Sequence, residues 1–120
     1  MAQYVDGFVI PVPATKLSAY RRMAQKASKV WKDHGALDYK EAVIDEVKSE
    51  FARSFPEGIK AKSGETIVFS WITFKSKAHR NRVNAKVMKD PRLNEMCDPK
   101  AMPFDCKRML YGGFKVMVSI

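Results

Sequence analysis

The 13.7 kDa chain of 120 residues is long enough for one hydrophobic core and too short for two, and its 46% apolar content excludes intrinsic disorder. Its apolar runs are too short to cross a membrane, its first six residues lack the pattern of an export signal, and two cysteines cannot build a disulfide framework. These features predict one soluble, cytoplasmic domain over residues 1–120.

The charge is uneven. Twenty-two Lys and Arg oppose 13 Asp and Glu, for a net +9. Lys16–Lys32 holds six basic residues and no acid, and Lys75–Arg92 holds seven against Asp90 alone. Residues 36–65 reverse the balance with seven acids and five bases. Both basic segments read as helices.

Residues 4–12 are β-branched and aromatic, a strand closed by Pro13. Thr15 reads as an N-cap, after which Leu17, Tyr20, Ala24, Ala27 and Trp31 follow helical spacing to a stop at Gly35. A weaker strand covers 37–45, where Leu37, Tyr39 and Val43 alternate with charge. Residues 46–64, broken by Pro56-Glu57-Gly58 and Ser63-Gly64, read as a long connection with a short extended piece at Gly58–Lys62. Thr66–Phe74 is the strongest strand. Ser76 caps a helix from Lys77 to about Lys89, which Asp90-Pro91 ends. Residues 92–106, punctuated by Pro99 and Pro103, show little periodicity. Arg108–Ile120 closes the chain as a long strand around Gly112-Gly113, a pair that marks a bulge or a close backbone approach.

The order β-α-β-β-α-β predicts an α+β, ferredoxin-like fold: a four-stranded antiparallel sheet with two helices on one face. Lys16–Arg21 and Lys75–Arg80 echo one another, each just after a strand.

Few residues carry recognisable chemistry. Cys97, Cys106, His34 and His79 do not converge at metal-ligand spacing, so no metal and no cofactor is expected, and both thiols should be free. There is no nucleophile elbow and no glycine-rich phosphate loop. Arg21, Arg22, Lys26 and Lys29 form the solvated face of the first helix, and no aromatic signature of an RNA-binding sheet accompanies them. Asp6 stands out, because a carboxylate inside an apolar strand needs a partner. Lys107 or Arg108, beside the neighbouring last strand, can supply it, either as a sheet-end ion pair or as the polar end of a pocket walled by Phe8, Trp71 and Tyr111.

Asp6-Gly7-Phe8-Val9, Phe69-Ser70-Trp71-Ile72 with Ser76-Lys77, Met88–Arg92 and Met102–Phe114 resemble the YbaA-like family of small bacterial proteins, a conserved domain of unknown function. The similarity runs from about Tyr4 to Phe114. Cys106 departs from it, at a position where the family pattern has Gly. The resemblance implies a dimeric α+β barrel of ferredoxin-like subunits, a superfamily that includes cofactor-independent monooxygenases, haem-degrading enzymes and isomerases. No catalytic set of those enzymes matches this chain residue by residue, and none is transferred.

The functional expectation is a homodimeric small-molecule-binding protein or cofactor-independent enzyme with a cleft between sheet and helices. Asp6 or His79 serves as base and Arg108 clamps an anionic group, with Phe8, Trp71, Asn84, Lys107 and Tyr111 as ligand contacts. The alternatives are RNA or polyanion binding through the basic helices and a structural or regulatory module. Self-association rests on the sheet. Val5 and Val9 oppose Phe8, Ile10 and Val12; Ile67, Phe69 and Trp71 oppose Val68, Ile72 and Phe74; Met109, Tyr111 and Met117 oppose Leu110, Phe114, Val116 and Val118. Both faces are apolar, and helices can cover only one.

Overall fold

The computed structural model describes residues 2–96 and 102–120. Four strands, β1 (Tyr4–Pro13), β2 (Asp38–Val43), β3 (Glu65–Phe74) and β4 (Leu110–Lys115), form one sheet in the order β2-β3-β1-β4. Every neighbouring pair is antiparallel. Helix α1 (Leu17–Asp33) joins β1 to β2, and α3 (Lys77–Met88) follows β3. A single turn α2 (Phe55–Gly58) and a short α4 (Pro91–Met96) complete the chain order. The expected ferredoxin-like βαββαβ arrangement is therefore present. Its two long helices share one core with the sheet, since Val30 of α1 and Val83 and Val87 of α3 cluster with Ile72 and Phe74 of β3.

Register assigns the two sheet faces. Asp6, Phe8, Ile10 and Val12 pair with Ile72, Ser70, Val68 and Thr66, and point with them toward the helices. Val5, Gly7 and Val9, with Phe69, Trp71, Leu110, Gly112 and Phe114, occupy the other face. Among the described residues neither α1 nor α3 covers that face, although its far end, at Pro11 and Ile67, is buried. Phe55 alone stacks on Phe69, rings 6.2 Å apart and nearly parallel.

Several local expectations change. Ser76 caps α3 by accepting the His79 N–H, as its position implied. Thr15 does not cap α1; it lies in a 3-10 turn, Ala14–Lys16, that leads into the helix without a side-chain cap. Gly58–Lys62 is not extended. Ser54 accepts the Glu57 N–H and Pro56 sits in the first turn, a helix-start pattern that builds α2 from residues resembling a breaker. The chain then reverses at Lys60, which has φ of 56°. The last strand is shorter than expected. Cys106–Arg108 form a 3-10 turn capped by Asp105, and beyond Lys115 the Val116 N–H bonds to Gln3 O, where β1 has not yet begun. Met117, Val118 and Ile120 are left exposed. The radius of gyration, 15.1 Å, exceeds the roughly 13.6 Å of a compact chain this long.

Gly112 and Gly113 form no bulge, since they pair in register with Gly7 and Asp6. Their bareness admits aromatic rings. On the open face Phe114 lies over Gly7 and Gly112, its ring atoms 3.1–3.2 Å from where a Cβ would stand. On the helix face Tyr4 lies over Gly113, with its hydroxyl 2.4 Å from that point. This flat pose turns the Tyr4 ring toward Arg80, whose Cζ sits 4.8 Å from the ring centroid. Gly113→Ala should therefore displace Tyr4 and cost about 1–3 kcal/mol in urea denaturation. In a Tyr4→Ala background the same substitution should cost little, and equal costs in both backgrounds would refute the coupling.

Candidate functional site

Two polar constellations lie between sheet and helices. The first surrounds Asp6, which is 2% exposed. Its partner is not Lys107 or Arg108 but α3, whose Arg80 and Asn84, four residues apart, face the same strand. Arg80 Nη1 donates to Asp6 Oδ1 at 3.1 Å and Asn84 Nδ2 to Oδ2 at 3.2 Å. The Tyr111 hydroxyl donates to Oδ1 at 3.0 Å and accepts from Arg80 at 2.8 Å. Trp31 Nε1 donates to Asn84 Oδ1 at 3.0 Å, which brings α1 into the network. Phe8 packs on the Tyr111 ring, centroids 5.1 Å apart. Burial, followed by the bond to Asp6, raises the Tyr111 phenol above its usual range and keeps it a donor. The structure thus brings Asp6, Asn84, Tyr111 and Phe8 together around Arg80, which sequence reasoning had not singled out.

The other proposed site residues lie elsewhere. His79 is hydrogen-bonded through Nδ1 to the Lys75 N–H and packs edge-on against Phe74. Its pKa is lowered, chiefly by burial and then by Lys75 and Arg82, so it is neutral near pH 7. Arg108 clamps Glu65 with two bonds, at 2.5 and 2.8 Å, and also donates to Lys60 O. Lys107 is exposed beside Asp105, and Trp71 stands on the open face of the sheet. Cys106 is a free exposed thiol, whereas Cys97 lies outside the described residues. Among the described residues no three His, Cys, Asp or Glu side chains group as a metal site, and no helix is long and apolar enough to cross a membrane.

The second constellation lines a cleft of about 350 Å³ between α1 and β2. Tyr39 and Glu41 sit two residues apart on one face of β2, and Tyr20 descends from α1. The Tyr20 hydroxyl donates to Glu41 Oε1, and the Tyr39 hydroxyl donates to Oε2 at 2.7 Å. Each ring is braced from behind, Tyr20 by Phe104 and Tyr39 by Trp31. Burial first, and then the Glu41 charge, push both phenols well above their usual range, so both stay protonated donors. Leu17, Ala24, Val43 and Val68 make the remaining wall apolar, with Arg21, Gln25 and Ser28 along α1. The sequence held one signal of this site: Glu41 occupies a core-facing position between Tyr39 and Val43. A separate concavity, about 580 Å³, lies on the open sheet face between Phe69, Trp71, Leu110 and Phe114.

This is a ferredoxin-like α+β protein with a sheet–helix cleft and a partly uncovered apolar sheet face. The chain belongs to the DUF1428 family, described as a protein of unknown function, which matches residues 3–106. It is similar to the uncharacterized protein YbaA of Escherichia coli K12 and of Shigella flexneri, in each case 46% identical over 117 residues and 98% of both chains. The YbaA-like resemblance is thereby borne out. Among solved structures it is similar to a dimeric ferredoxin-like protein from an uncultured marine organism, with TM-score 0.60, 11% identity and all of both chains covered. It is also similar to a NIPSNAP family protein of unknown function from Agrobacterium tumefaciens, with TM-score 0.57, 15% identity, and 96% and 88% of the chains covered.

Two measurements probe the ion pairs. Asp6→Ala leaves the half-buried Arg80 without its carboxylate and should cost about 3 kcal/mol of stability; a loss below about 1 kcal/mol would show that the network does not hold α3. At the other pair, hydrogen bonds from Arg108 lower the Glu65 carboxyl from 4.5 to about 2. A lowered folded pKa stabilises above the unfolded value, so this contribution should fade as pH drops from about 4.5 toward 2. Glu65→Gln should flatten that part of the stability–pH curve, and an unchanged slope would contradict the assignment.

Proposed function

We propose that the protein acts as one homodimeric domain that binds small molecules, with two sheets packed open face to open face and a ligand held in the α1–β2 cleft of each subunit. The cleft carries the reading. Its volume falls within the range of ordinary ligand pockets, its wall is mainly apolar, and its fixed polar group can orient a guest. The Asp6 network, by contrast, is filled by its own side chains. Asp6, Asn84 and Tyr111 serve there to hold β1, β4 and α3 in place, and Arg108 fixes the start of β3. Should the bound molecule undergo proton transfer, Glu41 is the base within reach and Tyr20 and Tyr39 are the donors.

Dimerisation follows from the uncovered face. The open part of the face, about six residues on each of four strands, measures about 400 Å² in projection. If half of that is apolar, exposure forfeits about 5 kcal/mol at 25 cal/mol per Å², comparable to the stability of a small domain. A stable dimer buries about 800 Å² per partner, and the exposed Phe51, Met117 and Val118 beyond the sheet can supply the remainder. A partner bearing the same face satisfies both surfaces with one twofold contact. The dimeric ferredoxin-like structure of the same fold supports this arrangement.

Titration with phenol, followed by amide chemical shifts, tests the cleft. The largest shifts should fall on Leu17, Tyr20, Tyr39 and Val43. Val43→Trp, at a half-exposed position of the cleft wall, should weaken binding at least tenfold with little change in melting temperature. Shifts scattered over the surface, or unaltered binding to Val43→Trp, would overturn the reading.

A further inference from the structure

We infer that the α1–β2 cleft selects a small organic anion that carries a hydroxyl group on an apolar body, the hydroxyl donating to Glu41 and the anionic group meeting Arg21. The inference rests on the cleft being the ligand site and goes further by naming the chemistry it recognises.

The argument starts from the lone pairs of Glu41. Each carboxylate oxygen has two acceptor positions, and one phenol occupies one position on each. Because Tyr20 and Tyr39 approach from α1 and from β2, the carboxylate is clamped between the two walls of the cleft. No Lys or Arg among the described residues lies within ion-pair distance of it. Glu41 therefore keeps acceptor capacity for a guest. A group that only accepts, such as an ether or an ester carbonyl, meets a negative charge there. A hydroxyl meets an oriented partner, and its hydrogen bond to a charged group is among the stronger ones.

The far end of the guest is set by α1. Arg21 lines the cleft, and Arg22, Lys26 and Lys29 are exposed on the same helix, in a stretch without an acid. That surface draws anions toward the cleft and repels ammonium groups, although an ammonium also suits Glu41. Leu17, Ala24, Val43 and Val68 between the two polar ends require an apolar body.

Three probes of similar shape separate the possibilities: hydroxyphenylacetate, phenylacetate and tyramine, titrated at low salt against the intact protein with amide chemical shifts as readout. Hydroxyphenylacetate should bind about tenfold more tightly than phenylacetate, and tyramine most weakly. Glu41→Gln should reduce the preference for the hydroxyl to threefold or less. Arg21→Gln should weaken both anions together and leave their ratio unchanged. If both anions shift the cleft residues with equal affinity, or tyramine binds best, the inference is overturned while the cleft remains a ligand site. If no probe shifts the cleft residues, the proposed function falls with it.

Discussion

Alternation along a β-strand sends successive side chains to opposite faces, and in this chain both destinations are apolar. The helix-facing set closes a core with α1 and α3, so that Val12, Val30, Phe74 and Val87 are fully buried. The other set, from Val5 to Phe114, is held in the same register by the same hydrogen bonds and points away from α1 and α3. Two helices on one side satisfy half of the sheet. The flat Phe114 ring over Gly7 and Gly112 smooths the other half into a surface that can meet a like surface.

With the sheet fixed in this way, its helix side divides by polarity. Near the β1–β4 end, a buried carboxylate draws Arg80, Asn84 and Tyr111 into a network that ties α3 to the strands, with Arg80 Nε buried and unpaired among the described residues. Removing either charge there would strand the other, so the network holds the helix in one place. At the opposite, β2 side, a cleft opens between α1 and the edge strand. The carboxylate there is held by hydroxyls rather than by a cation, and it retains acceptor positions. One face thus carries two carboxylates with different consequences, the buried Asp6 engaged by its own neighbours and the half-buried Glu41 open to a guest.

The fold was legible because its signals are local. Period-two alternation in residues 4–12 and 66–74, helical spacing from Leu17 to Trp31, and the Ser76 cap each depend on neighbours in sequence. The errors lay where a local signal had two meanings or where space decided. Ser54-Phe55-Pro56-Glu57 reads equally as a breaker and as a helix start. Residues 116–120 have the composition of a strand, but β1 begins too late to pair with them. Site chemistry was less legible. The need of Asp6 for a partner is visible in the sequence, yet the partner, Arg80, reaches it from 74 residues away on α3 rather than from the last strand. Tyr20 fits the apolar stripe of a helix, and nothing in sequence shows that this helix and an edge strand bring it to Glu41.

The uncovered sheet face bears on everything else, because the cleft and the ion pairs are organised on its reverse side. Sedimentation equilibrium of the unaltered chain at micromolar concentration measures its consequence directly. The expected mass is twice 13.7 kDa, falling only on dilution. A folded 13.7 kDa species at every concentration, with native near-ultraviolet circular dichroism, would show that the face tolerates water and would contradict the account.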